Sequence, residues 1–221
     1  MSLNLFSIFD PSSSNWFSMN WICITLGLIM IPLSFWKLPN RFSSAFKAIS
    51  QMISKELTAN LDPKLHPNKL LFFSMFYFIL ISNLFGLFPY IFTSSSHLMV
   101  SLGMSLPSWL CLMFYSLITS FNSMMAHLVP TGSPMGLSVF MVYIETISSL
   151  IRPMTLAVRL TANMIAGHLL LSLLSSLSEI TPNLFFASSP AICMLLSLEF
   201  AVAIIQSYVF FTLLSLYFNE I

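Results

Sequence analysis

Charged side chains are scarce in this sequence. Only 7% of its 221 residues are Asp, Glu, Lys or Arg, whereas these residues make up about 25% of an average soluble domain. A soluble fold could not cover its surface with so few charges, because these side chains normally lie outside. Hydrophobic residues make up 57% of the chain. The composition therefore excludes a soluble enzyme and a disordered chain, and it predicts an integral membrane protein in a lipid bilayer.

Glycine and cysteine are also scarce. With six glycines and no GxxxxGK[ST] segment, the sequence has no recognisable loop for nucleotide phosphates. Its three cysteines are far apart, without the spacing of a metal site, and an odd number argues against a disulfide framework. A net charge of +1 gives no general attraction for nucleic acid. We therefore expect no cofactor, no metal, no nucleic-acid partner and no catalytic site.

Apolar runs dominate the remaining sequence. A helix of about 20 apolar residues crosses a bilayer, and five runs reach that length, separated by short polar turns such as residues 93–97 and 122–134. The predicted fold is all-α, one polytopic membrane domain over residues 1–221 with five membrane-crossing helices. The predicted crossings are residues 18–36, 70–88, 98–121, 137–174 and 191–218.

The segment between the first two crossings is basic. Six of the eight Lys and Arg residues fall between Lys37 and Lys69. At about residues 41–57, apolar side chains recur at helical spacing with lysines between them, which predicts an amphipathic helix on the membrane surface. Basic loops favour the cytoplasmic or equivalent organelle side. The N-terminus is then outside and the C-terminus inside. Residues 1–17 contain no Lys or Arg, unlike a targeting peptide.

The last two runs are longer than the membrane is thick. At 1.5 Å per residue they extend roughly 55 and 40 Å, against a hydrocarbon core of about 30 Å. We interpret them as a steeply tilted helical hairpin, possible because Pro153 can kink the first helix. Two ordinary crossings with helical extensions are the alternative. Glu179 is predicted to lie in the turn between them.

One arginine lies deep in the fourth run. Arg159 is too far from either end of the run for its guanidinium to reach water easily, and a charge at this depth costs at least about 2.5–3.5 kcal/mol. It therefore requires an acidic partner or an aqueous cavity. A structural arginine, paired within a helix bundle, is the simpler alternative.

Helical spacing positions other polar residues relative to this arginine. Glu145 lies nearly four turns before Arg159 on a similar face, about 21 Å closer to the inner side. Asn163 follows Arg159 by one turn on the same face. His168 lies toward the outer side, on roughly the opposite face. Glu145 as a solvated interface residue and His168 as a packed core histidine remain alternatives.

The fifth run adds two more polar residues. Glu199 and Gln206 share a helix face, Glu199 near the depth of His168 and Gln206 near that of Arg159. A histidine and a carboxylate on the outer side can exchange protons, as can a carboxylate on the inner side. The fixed charge between them repels protons, which predicts two half-paths separated by an electrostatic barrier. Glu199 as a neutralising counter-ion and Gln206 as an interhelical hydrogen bonder are the alternatives.

These residues carry a family resemblance. Residues 155–170, TLAVRLTANMIAGHLL, closely resemble the signature of subunit a of F-type ATP synthases in its mitochondrial form. Residues 144–153 resemble the start of the same helix, residues 198–210 resemble the family's last helix, and residues 83–89 resemble the end of its second span. The resemblance covers essentially the whole chain, and the Arg–Asn–His segment is highly specific.

The resemblance implies a function. The chain would be the stator half of a proton-driven rotary motor that is coupled to ATP synthesis. Its partners would be a ring of c subunits, other membrane-sector and peripheral-stalk subunits, and protons. It would lie in the mitochondrial inner membrane, with its N-terminus in the intermembrane space and its C-terminus in the matrix. In that role Arg159 would face the ring, attract its deprotonated carboxylate and block a direct proton leak. The family's positions map to His168 and Glu199 for the outer half-channel, Glu145 for the inner one, and Asn163 and Gln206 beside the arginine.

One residue departs from the family pattern. Arg152 lies one heptad before Arg159, where the family commonly has an uncharged residue, and it could pair with Glu145 and alter the inner exit.

Two other functions remain open. A self-contained ion channel or antiporter would need its own carboxylate near Arg159 and often has internal repeats, which the sequence lacks. A structural subunit of a respiratory complex would not require buried charges at two depths.

Overall fold

The computed structural model describes residues 5–12, 18–29, 38, 40–60, 69–129, 135–180 and 185–220. Every regular element in these ranges is helical, which confirms the predicted all-α class. Short 3-10 helices occupy Leu5–Phe9, Met19–Trp21 and Ser94–Ser96. The α-helices are α1 (Ile22–Ile29), α2 (Arg41–Asn60), α3 (Lys69–Gly86), α4 (Leu98–Thr119), α5 (Phe121–Leu128), α6 (Met135–Ile180) and α7 (Phe185–Glu220).

Four of these helices are long and apolar enough to cross a membrane: α3, α4, residues 136–176 of α6 and residues 188–217 of α7. Helix α1 occupies part of the predicted first crossing, residues 18–36. Residues 30–37 lie outside the described part of the chain. The structure thus supports four crossings, and the fifth stays a prediction.

Helix α2 is amphipathic, and one of its faces packs against the bundle. Ile53 and Leu57, one turn apart, are buried in a core cluster formed by side chains of α3, α4 and α7. Tyr208 of α7 donates a hydrogen bond to Glu56 of α2. Because residues four apart lie on the same side of a helix, Ile53 and Leu57 attach α2 to the bundle. Phe42 and other apolar side chains on its remaining surface are exposed.

Helices α6 and α7 carry the predicted polar residues. With 46 and 36 residues they extend about 69 and 54 Å, which exceeds a hydrocarbon core of about 30 Å. Helix α6 is continuous through Pro153. It packs against α4 and α7, and α7 also packs against α3. Ile79, Leu156, Leu160 and Phe210 form the core where these helices meet.

Two local predictions were wrong. Residues 122–134 were expected to form a turn, but α5 covers Phe121–Leu128 after a break at Ser120. The breaking residues Pro130, Gly132 and Pro134 come later, so nothing prevents a helix before them. Glu179 was expected in the turn between the long helices and instead belongs to α6, which runs to Ile180. No glycine or proline interrupts α6 between Gly167 and that end.

Candidate functional site

Arg159 lies on an exposed face of α6. Its neighbours Leu156 and Leu160 point into the bundle and are buried, whereas Val158 and Ala162 are exposed beside it. Arg159 forms no ion pair with any residue that the structure describes. A structural arginine locked to an acid of its own helix bundle would need such a partner. The open position instead leaves the guanidinium free to meet a charge from outside the chain.

Glu199 lies buried between α6 and α7. Glu199 is only 8% exposed. Its carboxylate packs against Gly167 of α6, and a methyl group added at Gly167 would overlap this carboxylate. Neither carboxylate oxygen has a hydrogen-bond partner among the described residues. Burying a polar group without a partner is costly. This carboxylate is therefore placed for a transient partner such as a proton or water.

A cavity of about 250 Å³ extends from this carboxylate along the two helices. Its lining includes the polar residues Asn163, Glu199 and Gln206. Gly167 of α6 also lines it. One water needs only about 10–15 Å³ together with polar partners, so the cavity has room for several. The structure thus brings together three predicted site residues that the sequence placed on two separate helices. Asn163 is one turn from Arg159.

His168 is placed apart from this cavity. It follows Gly167 directly but does not line the cavity. Its Nε2 atom is buried without a hydrogen-bond partner among the described residues. The ring of Phe9 meets the imidazole edge to face, with 6.5 Å between the ring centroids. The N-terminal 3-10 helix therefore covers the histidine, a contact that the sequence did not indicate.

Glu145 and Arg152 form a second charged site on α6. The Arg152 Nη2 atom lies 4.0 Å from the Glu145 Oε1 atom, as their seven-residue spacing allows. The Arg152 guanidinium also lies over the Tyr217 ring, 4.8 Å from its centroid. Glu145 is about 21 Å from Arg159 along the helix axis. The structure therefore separates this pair from the cavity beside Glu199.

Gly167 was not among the predicted site residues. A glycine in a helix interior costs about 1 kcal/mol relative to alanine, and that cost is a signal that another group approaches the backbone. Here the approaching group is the carboxylate of Glu199. Tyr217, the cation–π partner of Arg152, had no comparable signal because aromatic residues are common throughout the chain.

Comparisons with known proteins identify the family of the chain. Residues 16–219 match the family described as ATP synthase A chain. The chain is 51% identical to the ATP synthase subunit a of Drosophila melanogaster over 226 residues and 52% identical to that of Anopheles quadrimaculatus over 225 residues. It is 49% identical to the Aedes aegypti protein of the same name. All of these matches cover the whole of both chains. The chain therefore belongs to the ATP synthase A chain family, the proton-translocating membrane-sector subunit of F-type ATP synthases.

Proposed function

We propose that two offset proton half-paths in this chain exchange protons with the carboxylates of a c-subunit ring, and that Arg159 separates them. The cavity lined by Asn163, Glu199 and Gln206 belongs to the outer half-path. Glu145 belongs to the inner one. The exposed position of Arg159, which has no ion pair among the described residues, is the single observation that carries the proposal, because a stator charge must meet a partner that moves.

The outer half-path begins at His168. A proton from outside passes through His168 and Glu199 and then through water in the cavity to a ring carboxylate beside Asn163 and Gln206. The protonated ring carboxylate is neutral, so it can leave the protein surface and enter the lipid, where a charge would be costly. Water in a cavity of this size can relay the proton without a continuous chain of side chains.

The inner half-path releases the proton. After rotation, a ring carboxylate gives its proton to water near Glu145 and becomes an anion. Arg159 attracts that anion, which now returns to the outer path to be protonated again. Because the guanidinium stays protonated in proteins, it cannot pass a proton directly from one path to the other. Net transport therefore requires the ring to turn.

The exposed face around Arg159 fits a ring that slides past it. Ala162 and Ala166 follow Arg159 on the exposed surface of α6. Small side chains allow a second helix to approach closely, as at many interfaces in membranes.

We place the chain, as one polytopic domain with five crossings and a surface helix, in the mitochondrial inner membrane. The basic residues near α2 put the C-terminus in the matrix and the N-terminus in the intermembrane space. The chain has no catalytic role of its own and acts with the other membrane-sector and peripheral-stalk subunits.

Replacing Arg159 tests the proposal, and Lys47 on the exposed surface of α2, a basic residue outside both half-paths, provides a control. We expect Arg159→Gln to lower ATP-driven proton pumping about a hundredfold, since it removes a fixed charge that stabilises the ring anion. Native gels should show an assembled complex. Lys47→Gln should retain most of the pumping. Pumping that survives Arg159→Gln would favour a structural subunit, and proton flux from the isolated chain would favour a self-contained channel.

A further inference from the structure

A second cavity, of about 290 Å³, lies between α3, α4 and α7. Leu71 and Met75 of α3, Cys111 and Leu112 of α4 and Leu214 of α7 line it. Leu71 and Cys111 are exposed, so the cavity opens on the exposed exterior of the helix bundle. None of its lining residues belongs to the cavity beside Glu199. It is therefore separate from the proposed proton paths.

The walls of this cavity are suited to hydrocarbon rather than to water. Its volume is about twenty times the minimum of 10–15 Å³ that one water needs, but a water also needs two to four polar partners. Most of its surface comes from apolar side chains. The hydroxyl of Ser108, which lines it, donates to the backbone carbonyl of Ser105 at 2.9 Å. An apolar chain is the occupant that this surface fits.

The cavity lies at the basic end of the bundle. Lys69 begins α3, two residues before Leu71 and on the same helix face as the cavity residue Phe72. The Lys69 side chain forms no ion pair among the described residues. The segment between Lys37 and Lys69 contains six basic and two acidic residues. An occupant whose apolar chain enters this cavity therefore meets positive charge at the membrane surface.

We propose that this cavity binds an acyl chain of an acidic phospholipid, and that Lys69 holds the phosphate of its headgroup. A lysine stem can lie along apolar surface while its ammonium reaches the headgroup layer. Basic pockets between membrane-spanning helices on the inner side are suited to acidic headgroups. The site is independent of the proposed proton transfer, since Lys69 takes no part in that pathway.

Photocrosslinking in the assembled complex tests the proposal. The complex is placed in phosphatidylcholine nanodiscs with a trace of either phosphatidylglycerol or phosphatidylcholine that carries a diazirine in one acyl chain. Crosslinked peptides are then mapped by mass spectrometry. We expect residues 71–75 and 108–115 to be labelled about fivefold more by phosphatidylglycerol, the preference that one lysine near the surface supplies. Equal labelling of these segments by the two lipids would overturn the proposal. The absence of lipid crosslinks in both segments would also overturn it.

Variants separate the headgroup contact from the cavity. Lys69→Ala should abolish the preference for phosphatidylglycerol, Lys69→Arg should keep it, and Lys47→Ala on the exposed surface of α2 should leave it unchanged. If Lys47→Ala has the same effect as Lys69→Ala, general surface charge explains the preference and the proposed contact is wrong.

A cavity-filling variant provides a second test that does not depend on Lys69. Cys111→Phe should lower labelling by both lipids about tenfold, because the ring fills space that an acyl chain needs. Cys193→Phe, at an exposed position on α7 outside the cavity, should not change it. Unchanged labelling in Cys111→Phe would overturn the proposal. Native gels and ATP-driven proton pumping verify assembly in each variant.

Discussion

The buried carboxylate of Glu199 on α7 packs directly against the backbone of Gly167 on α6. This contact brings the two longest helices together at the cavity that also contains Asn163 and Gln206. Because a glycine has no Cβ, the carboxylate can occupy the space that any other side chain would take. The contact therefore determines where the proposed outer half-path can hold its titrating group.

Gly167→Ala should impair transport without unfolding the chain. The added methyl group would overlap the carboxylate of Glu199, and a displaced reacting group loses about tenfold or more in rate. We expect ATP-driven proton pumping to fall by that factor. Gly103→Ala on α4 is the matched control, because nothing lies within 4 Å of a Cβ there. Normal pumping in Gly167→Ala would show that the position of Glu199 is unimportant.

Glu199→Gln should separate stability from function. Glutamine has nearly the same shape and cannot take up and release a proton at this site, so we expect pumping to fall about a hundredfold, as for a lost acid–base group. The assembled complex should be no less heat-stable, because the unpaired buried carboxylate contributes no hydrogen bond among the described residues. Thermal melting and pumping of the same preparation test both expectations. A large loss of stability would instead assign Glu199 a structural role.

The Glu145–Arg152 pair should contribute little stability. Its atoms are 4.0 Å apart and both side chains are partly exposed, 34% for Arg152 and 47% for Glu145. Such pairs contribute about 0.2–1 kcal/mol. A double-mutant cycle with Glu145→Gln and Arg152→Gln, followed by thermal melting, should give a coupling energy in that range. A coupling well above it would mean that the pair is buried in the assembled complex.

Leu57→Ala should loosen α2 from the bundle. Leu57 is fully buried in the core shared with α3 and α7, and removing a buried leucine side chain costs about 2–5 kcal/mol. We expect faster hydrogen exchange of α2 amides. Met52→Ala is the control because Met52 is 70% exposed. Equal exchange in the two variants would mean that Ile53 and the Glu56–Tyr208 hydrogen bond hold α2 in place without Leu57.

Much about this protein follows from its sequence alone. Few charges and long apolar runs require a helical membrane protein, because only helices and closed barrels satisfy backbone hydrogen bonds in lipid. The signature around Arg159 and His168 was sufficient to indicate the family. Heptad spacing within one helix also predicted the pairing of Glu145 with Arg152, since residues seven apart lie on one face of an isolated helix.

Only the tertiary structure decided which polar residues of different helices meet. The sequence does not show whether α7 turns Glu199 toward Gly167 or toward His168. Side-chain packing of α7 against α3 and α6 determines that rotation, and such contacts join residues far apart in the chain. The same packing created the apolar cavity beside Lys69. Local helical periodicity determines the faces of each helix, and packing between helices determines which faces meet.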